Sequence, residues 1–260
     1  MPQSPQSGLV GVNLKLARAQ EHFEAIAAID ERFAAVLCEV VFREDKDKGI
    51  GYFAISLPET PLELSTIVGD CLHNLRSTLD YLVWQMVRSN PPNKPERRNM
   101  FPICSSPQEF ASQVKRGRLR GVPAAATEII ERLQPYDGPD HPLALLNELY
   151  NADKHRDLNF TVSVASDLDI SFSRNGDVYF RMILGNDEVR DGAILGNAGL
   201  RLCKANSLPE VQVHGQAAAF VAFRDHVSEW DDALGVAATL GTIRDFIVNK
   251  VIAALEPFVQ

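Results

Sequence analysis

The stretch PLELSTIVGDCLHNLRSTLDYLVWQMVRS, residues 61–89, decides the fold. Its apolar residues recur at three- and four-residue spacing, which is the period of an α-helix with one buried face. The prolines in the following SNPPNKP cannot continue a helix. We therefore predict a core helix that ends near residue 89. Its apolar stripe consists of Val68, Cys71, Leu72, Leu75, Leu79, Leu82, Val83 and Met86.

Further helices are predicted on both sides of this core helix. Apolar periodicity and capping signals place them at residues 12–30, 105–117, 122–136, 143–156 and 239–259. In SSPQEFASQVKRG, Ser105 or Ser106 is the expected cap, with Pro107 in the first turn and a glutamate soon after.

Two parts of the chain predict β-structure. Residues 33–45 and 50–58 are β-rich runs around the charged turn KDKG, which is typical of a hairpin, and residues 159–223 alternate between apolar and polar side chains. We predict an α+β fold, a helical bundle interrupted by a β-hairpin near the N-terminus and a β-rich segment before the last helix. The expected segments are a disordered tail (1–8), the bundle with its hairpin (9–158), the β-rich insertion (159–223) and a C-terminal helix returning to the bundle (224–260).

Composition narrows the class of protein. The 260 residues carry a net charge of −8 and contain no apolar run long enough to span a bilayer. The N-terminus lacks a signal-peptide pattern, so we expect a cytoplasmic protein with no membrane partner. Four widely spaced cysteines without a CxxC pair indicate small buried hydrophobes in a reducing compartment.

Two basic runs stand out against the acidic background. NKPERRN, at residues 93–99, precedes VKRGRLRG, at residues 114–121. The net charge argues against broad attraction to nucleic acid, although it leaves room for a local basic patch. We favour two solvated loops over a phosphate-binding surface.

The core helix also has a polar side, opposite its apolar stripe. Arg76 and Asp80 are spaced as an i,i+4 ion pair, which is the ordinary arrangement on a solvent-exposed face. Trp84 on the same side predicts that something packs over this face, because a large aromatic is more often covered than bare. The polar side consists of His73, Arg76, Ser77, Asp80 and Trp84.

A second polar group ends the helix at 143–156, in the run NADKHR. Asp153 falls among the apolar positions of that helix, and a buried carboxylate needs a partner. Arg76 is the partner that we expect. The most economical interpretation is structural: a buried Arg–Asp pair that ties two helices together.

The functional interpretation places the two polar groups in one cleft. There, histidine suits acid–base chemistry near neutral pH, and arginine suits a phosphate or a developing negative charge. In the enzyme version His155 is the general base or acid, Arg76 stabilises charge, and Asp153 or Asp80 orients them. The candidate catalytic residues are His155, Arg76, Asp153, Asp80, His73 and Lys154.

A metal site is a third interpretation of the same residues. Asp70, His73, Asp80, Asp153 and His155 carry ligand atoms, but no HxxxH or ExxH pair is present. GxGxxG, P-loop and GxSxG motifs are absent as well, so we expect neither a cofactor nor a bound metal.

Four short motifs resemble those of a family of uncharacterised bacterial proteins. They are HNLRSTLDYLVWQM, FPI, QPY and DKHR. More distantly, a helical bundle with an arginine-centred polar helix is similar to the HEPN superfamily. That resemblance implies a metal-independent ribonuclease or RNA-binding protein, with a phosphate-bearing ligand or RNA as its partner and a homodimer as its assembly.

The sequence departs from the HEPN motif, in which four to six residues separate an arginine from a histidine. After four intervening residues, the position that follows Arg76 is Tyr81 and not a histidine, so His155 would have to supply the histidine from another helix. The alternative is a non-catalytic binding or assembly module, in which the same residues form a structural helix lock.

Overall fold

The computed structural model describes residues 8–34, 39–45, 50–56, 59–155, 158, 160–174, 177–184, 189–190, 210–223 and 235–259. Side chains are described for residues 8–32, 59–154, 158, 160, 221–223 and 235–259. The chain divides into two compact units. The first unit contains Met1–Ile26, Glu63–Leu158 and Ala237–Gln260, and the second contains Ala27–Leu62 and Asn159–Val236.

The first unit is built from helices. They are α1 (Val10–Ala34, of which the part up to Ile26 belongs to this unit), α2 (Leu64–Arg88), α3 (Pro107–Lys115), α4 (Ala124–Arg132), α5 (Pro142–His155) and α6 (Val236–Phe246). A π-helical segment, Ile247–Ile252, continues α6 into α7 (Ala253–Leu255) and a closing 3-10 turn (Glu256–Phe258).

Helix α2 forms the centre of the first unit. The predicted apolar stripe is buried along its whole length, with Leu72, Leu75, Leu79 and Leu82 fully inaccessible. Helix α5 packs beside α2 and contributes Leu146 and Leu149 to the core. The periodicity of residues 61–89 therefore predicts this core helix correctly.

Between α2 and α3 the chain is irregular but firmly held. Phe101 in this segment is fully buried and is among the largest side chains in the core. Helix α3 then begins at the predicted cap: the Ser106 hydroxyl accepts a hydrogen bond from the Glu109 N–H at 3.3 Å. The Glu109 carboxylate accepts in return from the Ser105 N–H at 2.9 Å, so two helix-end N–H groups are satisfied.

The second unit contains the strands. Strands β1 (Glu39–Asp45) and β2 (Ile50–Ser56) pair antiparallel. Strand β3 (Phe160–Arg174) pairs antiparallel with β4 (Asp177–Leu184), β5 (Val189–Arg190) and β6 (Glu210–Phe223). Near the start of this sheet the Val221 N–H donates to Asp30 at 3.1 Å, and the Phe160 and Phe223 rings lie 5.5 Å apart.

The predicted fold class, an α+β helical bundle interrupted by a β-hairpin and a β-rich segment, is wrong. Where side chains are described, 68% of residues are helical, and only one short strand and no sheet occur among them. The buried side chains of the first unit come from its helices and from the irregular segments between them, including Phe101. The strands pair with one another in a separate unit.

The predicted tail at residues 1–8 lies outside the described residues except for Gly8. The other predicted segment boundaries, at residues 158, 223 and 260, stay predictions.

Candidate functional site

Arg76 and Asp80 hold one peptide of the irregular segment between α2 and α3. The Arg76 Nη2 donates to the carbonyl oxygen of Phe101 at 2.7 Å, and the Asp80 Oδ1 accepts from the Phe101 N–H at 2.9 Å. The two side chains also form the predicted i,i+4 ion pair, with 3.3 Å between Nη2 and Oδ1. We call this arrangement the Arg76–Asp80 clamp.

The clamp is largely withdrawn from solvent. The side chains of Arg76 and Asp80 are 11% and 33% exposed, and the Arg76 Nη1 is buried without a hydrogen-bond partner. Burial raises the pKa of Asp80 above its ordinary value, and this effect exceeds the lowering by the Arg76 charge and the Phe101 N–H. Both charges are thus engaged internally.

Asp153, on α5, lies against α2 at Gly69, about two helical turns before Arg76. A Cβ built on Gly69 would lie 2.5 Å from the Asp153 Oδ1, so the carboxylate rests directly on the glycine backbone. The predicted Arg76–Asp153 pair is wrong, because the ion partner of Arg76 among the described residues is Asp80. The prediction failed because Arg76 donates instead to the carbonyl oxygen of Phe101, a residue far away in sequence.

The electrostatic surroundings of Asp153 come from its own helix and from α2. Burial, and after it the charge of Asp70, raises the pKa of Asp153, while His73 and Lys154 lower it. The Lys154 Nζ lies 3.9 Å from the centroid of the Tyr150 ring, which is a cation–π contact. The ring centroids of His73 and Tyr150 are 6.2 Å apart.

Five of the six candidate catalytic residues therefore fall into two described groups. Arg76 and Asp80 form the clamp, and His73, Asp153 and Lys154 form an electrostatic group near Gly69. Lys154 connects the two groups electrostatically, because its charge lowers the pKa of both Asp80 and Asp153. His155 is the last residue of α5, and its side chain lies outside the described residues.

The solvent side of α2 is more open than the sequence suggests. His73 is exposed and its ring Nε2 lies 3.4 Å from the Ser77 hydroxyl. Trp84 is 40% exposed within this chain, and the prediction that something packs over this face stays a prediction.

The described residues contain no group of three or more His, Cys, Asp or Glu side chains that could hold a metal ion. An open cavity of about 330 Å³ lies between α1 and the C-terminal helix, where Leu16, Gln20, Arg244 and Val248 line it. The candidate catalytic residues do not line this cavity.

Two residues that position the site were not identified from the sequence. Gly69 admits the Asp153 carboxylate, and a small residue within an apolar helix stripe is the signal that could have pointed to it. Asn99 is buried, and its Nδ2 donates to the carbonyl oxygens of Arg118 at 3.3 Å and Arg120 at 3.0 Å. No local sequence pattern predicts these hydrogen bonds of Asn99.

Comparisons with known proteins add no relative. No protein-family model matches the chain. No curated protein and no solved structure matches it either. Among the helices in the described ranges, none has the length and apolar character needed to cross a membrane.

Proposed function

We propose that this chain is a non-catalytic binding or assembly module in which the Arg76–Asp80 clamp is structural. The observation that carries the proposal is the use of both clamp side chains on one peptide, through the bonds to the Phe101 oxygen and nitrogen. A guanidinium committed to a backbone carbonyl and a carboxylate in a part-buried site is poorly placed to receive a substrate phosphate.

Burial supports the same interpretation. The Arg76 side chain is only 11% exposed, and a buried charge needs a partner of opposite sign within the protein. Asp80 is that partner. Fixing Phe101 also fixes a fully buried ring, so the clamp contributes to the core as well as to the loop. A catalytic arginine would instead direct its donors toward an open cleft.

The experiment is a ribonuclease assay combined with thermal unfolding. Wild-type protein, His155→Ala and Arg76→Ala are incubated with labelled single-stranded RNA in EDTA, and each melting temperature is measured. The proposal expects no cleavage by any of them and a lower melting temperature for Arg76→Ala. Cleavage by the wild type that His155→Ala abolishes, at an unchanged melting temperature, contradicts it.

A HEPN-like, metal-independent ribonuclease is the second candidate. The position of His73 favours it: its ring centroid lies 6.2 Å from that of Tyr150 on α5, and its charge lowers the pKa of Asp153 on the same helix. A carboxylate that interacts with an imidazole can orient acid–base chemistry. RNA as partner and a homodimeric assembly belong to this candidate. His73→Ala in the same assay tests it: the candidate requires that the substitution lower cleavage without lowering the melting temperature.

A further inference from the structure

The two basic runs of the sequence lie side by side in the first unit. The Met100 N–H donates to the carbonyl oxygen of Arg118 at 3.2 Å. The Arg118 Nη1 donates back to the carbonyl oxygen of Arg98 at 3.4 Å, and Asn99 bonds to the backbone of both Arg118 and Arg120. Hydrogen bonds between residues 98–100 and residues 118–120 therefore hold the two basic runs together.

Two glycines make this close approach feasible. Gly117 has φ +85°, and a Cβ there would lie 2.9 Å from the Arg98 Cδ. Gly121 also has φ +85°, and a Cβ there would lie 3.0 Å from the Asn93 Cβ and from a methyl carbon of Val87. Left-handed backbone and contact with a neighbouring side chain coincide at both glycines, so the loop that carries Arg118 and Arg120 is closely fitted against the first basic run.

The side chains of these segments form a concentrated cationic patch, which we call the basic surface. Seven lysines and arginines occur in residues 94–98 and 115–120, against one acidic residue, Glu96. The Glu96 carboxylate lies 2.7 Å from the Arg98 Nε and 3.8 Å from the Arg120 Nη1, so it orders two of the arginines. Arg118 is half-buried. The other six basic residues are exposed: Lys94, Arg97, Arg98, Lys115, Arg116 and Arg120.

The chemistry of this surface matches a polyphosphate chain. Five of the seven cations are arginines, whose planar guanidinium can donate two parallel hydrogen bonds to a phosphate. Nucleic acid presents regularly spaced phosphates, so several cations of one patch can be neutralised at once with release of counterions. The surface lies in a chain of net charge −8, so attraction is confined to this patch.

We propose that the basic surface binds the phosphodiester backbone of a nucleic acid strand. The proposal rests on the proposed function, because it names the partner class of a binding module. Arg97 and Arg116 are the best test positions, since both side chains are exposed and each lies in a different run. Replacing them should leave the fold intact, whereas Arg98 and Arg120 carry the contacts to Glu96.

The test measures fluorescence polarisation of labelled 20-nucleotide RNA and DNA strands between 50 and 200 mM salt. Wild-type protein should bind, more weakly as salt rises. Arg97→Ala/Arg116→Ala should weaken binding several-fold at 50 mM and reduce the slope of log K against log salt by about 1.4, at about 0.7 per phosphate contact on a single strand. Arg18→Ala removes an exposed arginine of α1 outside both basic runs and should bind like the wild type.

Three results would overturn the proposal. They are absence of binding at 50 mM salt, equal affinity and slope for the double variant, and competition by polyglutamate as strong as by unlabelled oligonucleotide. The last result would identify an acidic protein segment as the partner instead. Tighter binding of RNA than DNA supports the proposal and adds contact with the 2′-hydroxyl. None of these results bears on the Arg76–Asp80 clamp, whose test is thermal unfolding.

Discussion

The Asp153 carboxylate of α5 rests on Gly69 of α2, at a distance where even one methyl group on the glycine would collide with it. A Cβ at residue 69 would lie 2.5 Å from Oδ1 and 3.0 Å from Cγ of Asp153. The absence of a side chain at residue 69 of α2 therefore makes room for a polar side chain of α5.

We expect Gly69→Ala to destabilise the protein by about 1–3 kcal/mol, because the new methyl group displaces Asp153. The direction is diagnostic, since alanine in place of glycine inside a helix normally stabilises by about 1 kcal/mol. Urea unfolding measures the difference. The matched control is the same substitution in an Asp153→Ala background, where the penalty should disappear. A penalty that persists there would mean that Asp153 is not the obstacle.

The pH dependence of stability should report Asp153. Its pKa is raised above 3.8 by burial and by Asp70. The folded state therefore binds this proton more tightly than the unfolded state. The resulting stabilisation is present below pH 3.8 and lost as the pH rises through the raised pKa.

Removing the negative charge of Asp153 should consequently stabilise the folded protein at neutral pH. Asp153→Asn is expected to melt at a higher temperature than the wild type at pH 7, with a difference that shrinks toward about pH 3.5. Asp140→Asn, at an exposed loop carboxylate, is the control and should show little difference at either pH. A variant that is less stable than the wild type at pH 7 would refute this account of Asp153.

Loss of the clamp should be costly at either end. Arg76→Ala leaves the Phe101 carbonyl without its donor and Asp80 without its ion partner, so we expect a loss of about 2–3 kcal/mol in the free energy of unfolding. Arg76→Lys keeps the charge and should lose less. The double variant Arg76→Ala/Asp80→Ala should lose less free energy of unfolding than the sum of the losses in the two single variants, because both residues act on one peptide. Strict additivity would count against a clamp.

Asn99 should be the most sensitive residue of the loops that carry the basic surface. It accepts from the Glu96 N–H at 2.6 Å as well as donating to two carbonyl oxygens. Asn99→Ala therefore removes three part-buried hydrogen bonds and takes this partner from the Glu96 N–H and the Arg120 carbonyl oxygen, at about 2–3 kcal/mol. Asn93→Ala, which removes one exposed hydrogen bond to the Asn90 oxygen, is the comparison in the same urea titration. Similar losses for both would show that Asn99 does not join the loops.

Two cysteines should be inert in the folded protein. Burial raises the pKa of the Cys71 thiol to about 12 and that of Cys104 to about 11. The thiolate is the reactive form, so iodoacetamide at neutral pH should modify neither until the chain unfolds. The measurement uses a Cys38→Ser/Cys203→Ser variant, with labelling in denaturant as the positive control. Rapid native-state labelling would contradict the assigned burial.

What the sequence predicts correctly here is local. The apolar stripe of α2, the Ser106 cap and the Arg76–Asp80 spacing each depend on residues within about one or two turns of one another. In each case the periodicity of the helix or the geometry of its end is sufficient to specify the contact.

What the sequence could not supply is non-local. Arg76 was expected to pair with Asp153, but it donates a hydrogen bond to the carbonyl oxygen of Phe101, 25 residues away. The two basic runs were interpreted as two solvated loops, whereas hydrogen bonds from the Met100 N–H and the Asn99 side chain to the backbone of residues 118 and 120 join them. The fold class failed for the same reason, since periodicity identifies helices and strands but not which of them share a core.

The clamp recognises the peptide of residue 101 and not its ring. Its two hydrogen bonds would form equally well with the backbone of another apolar residue, provided that the side chain filled the same volume. Tolerance to substitution should therefore be uneven. Position 101 can vary in identity within a size limit, while positions 76 and 80, on a different element, determine where that part of the loop lies.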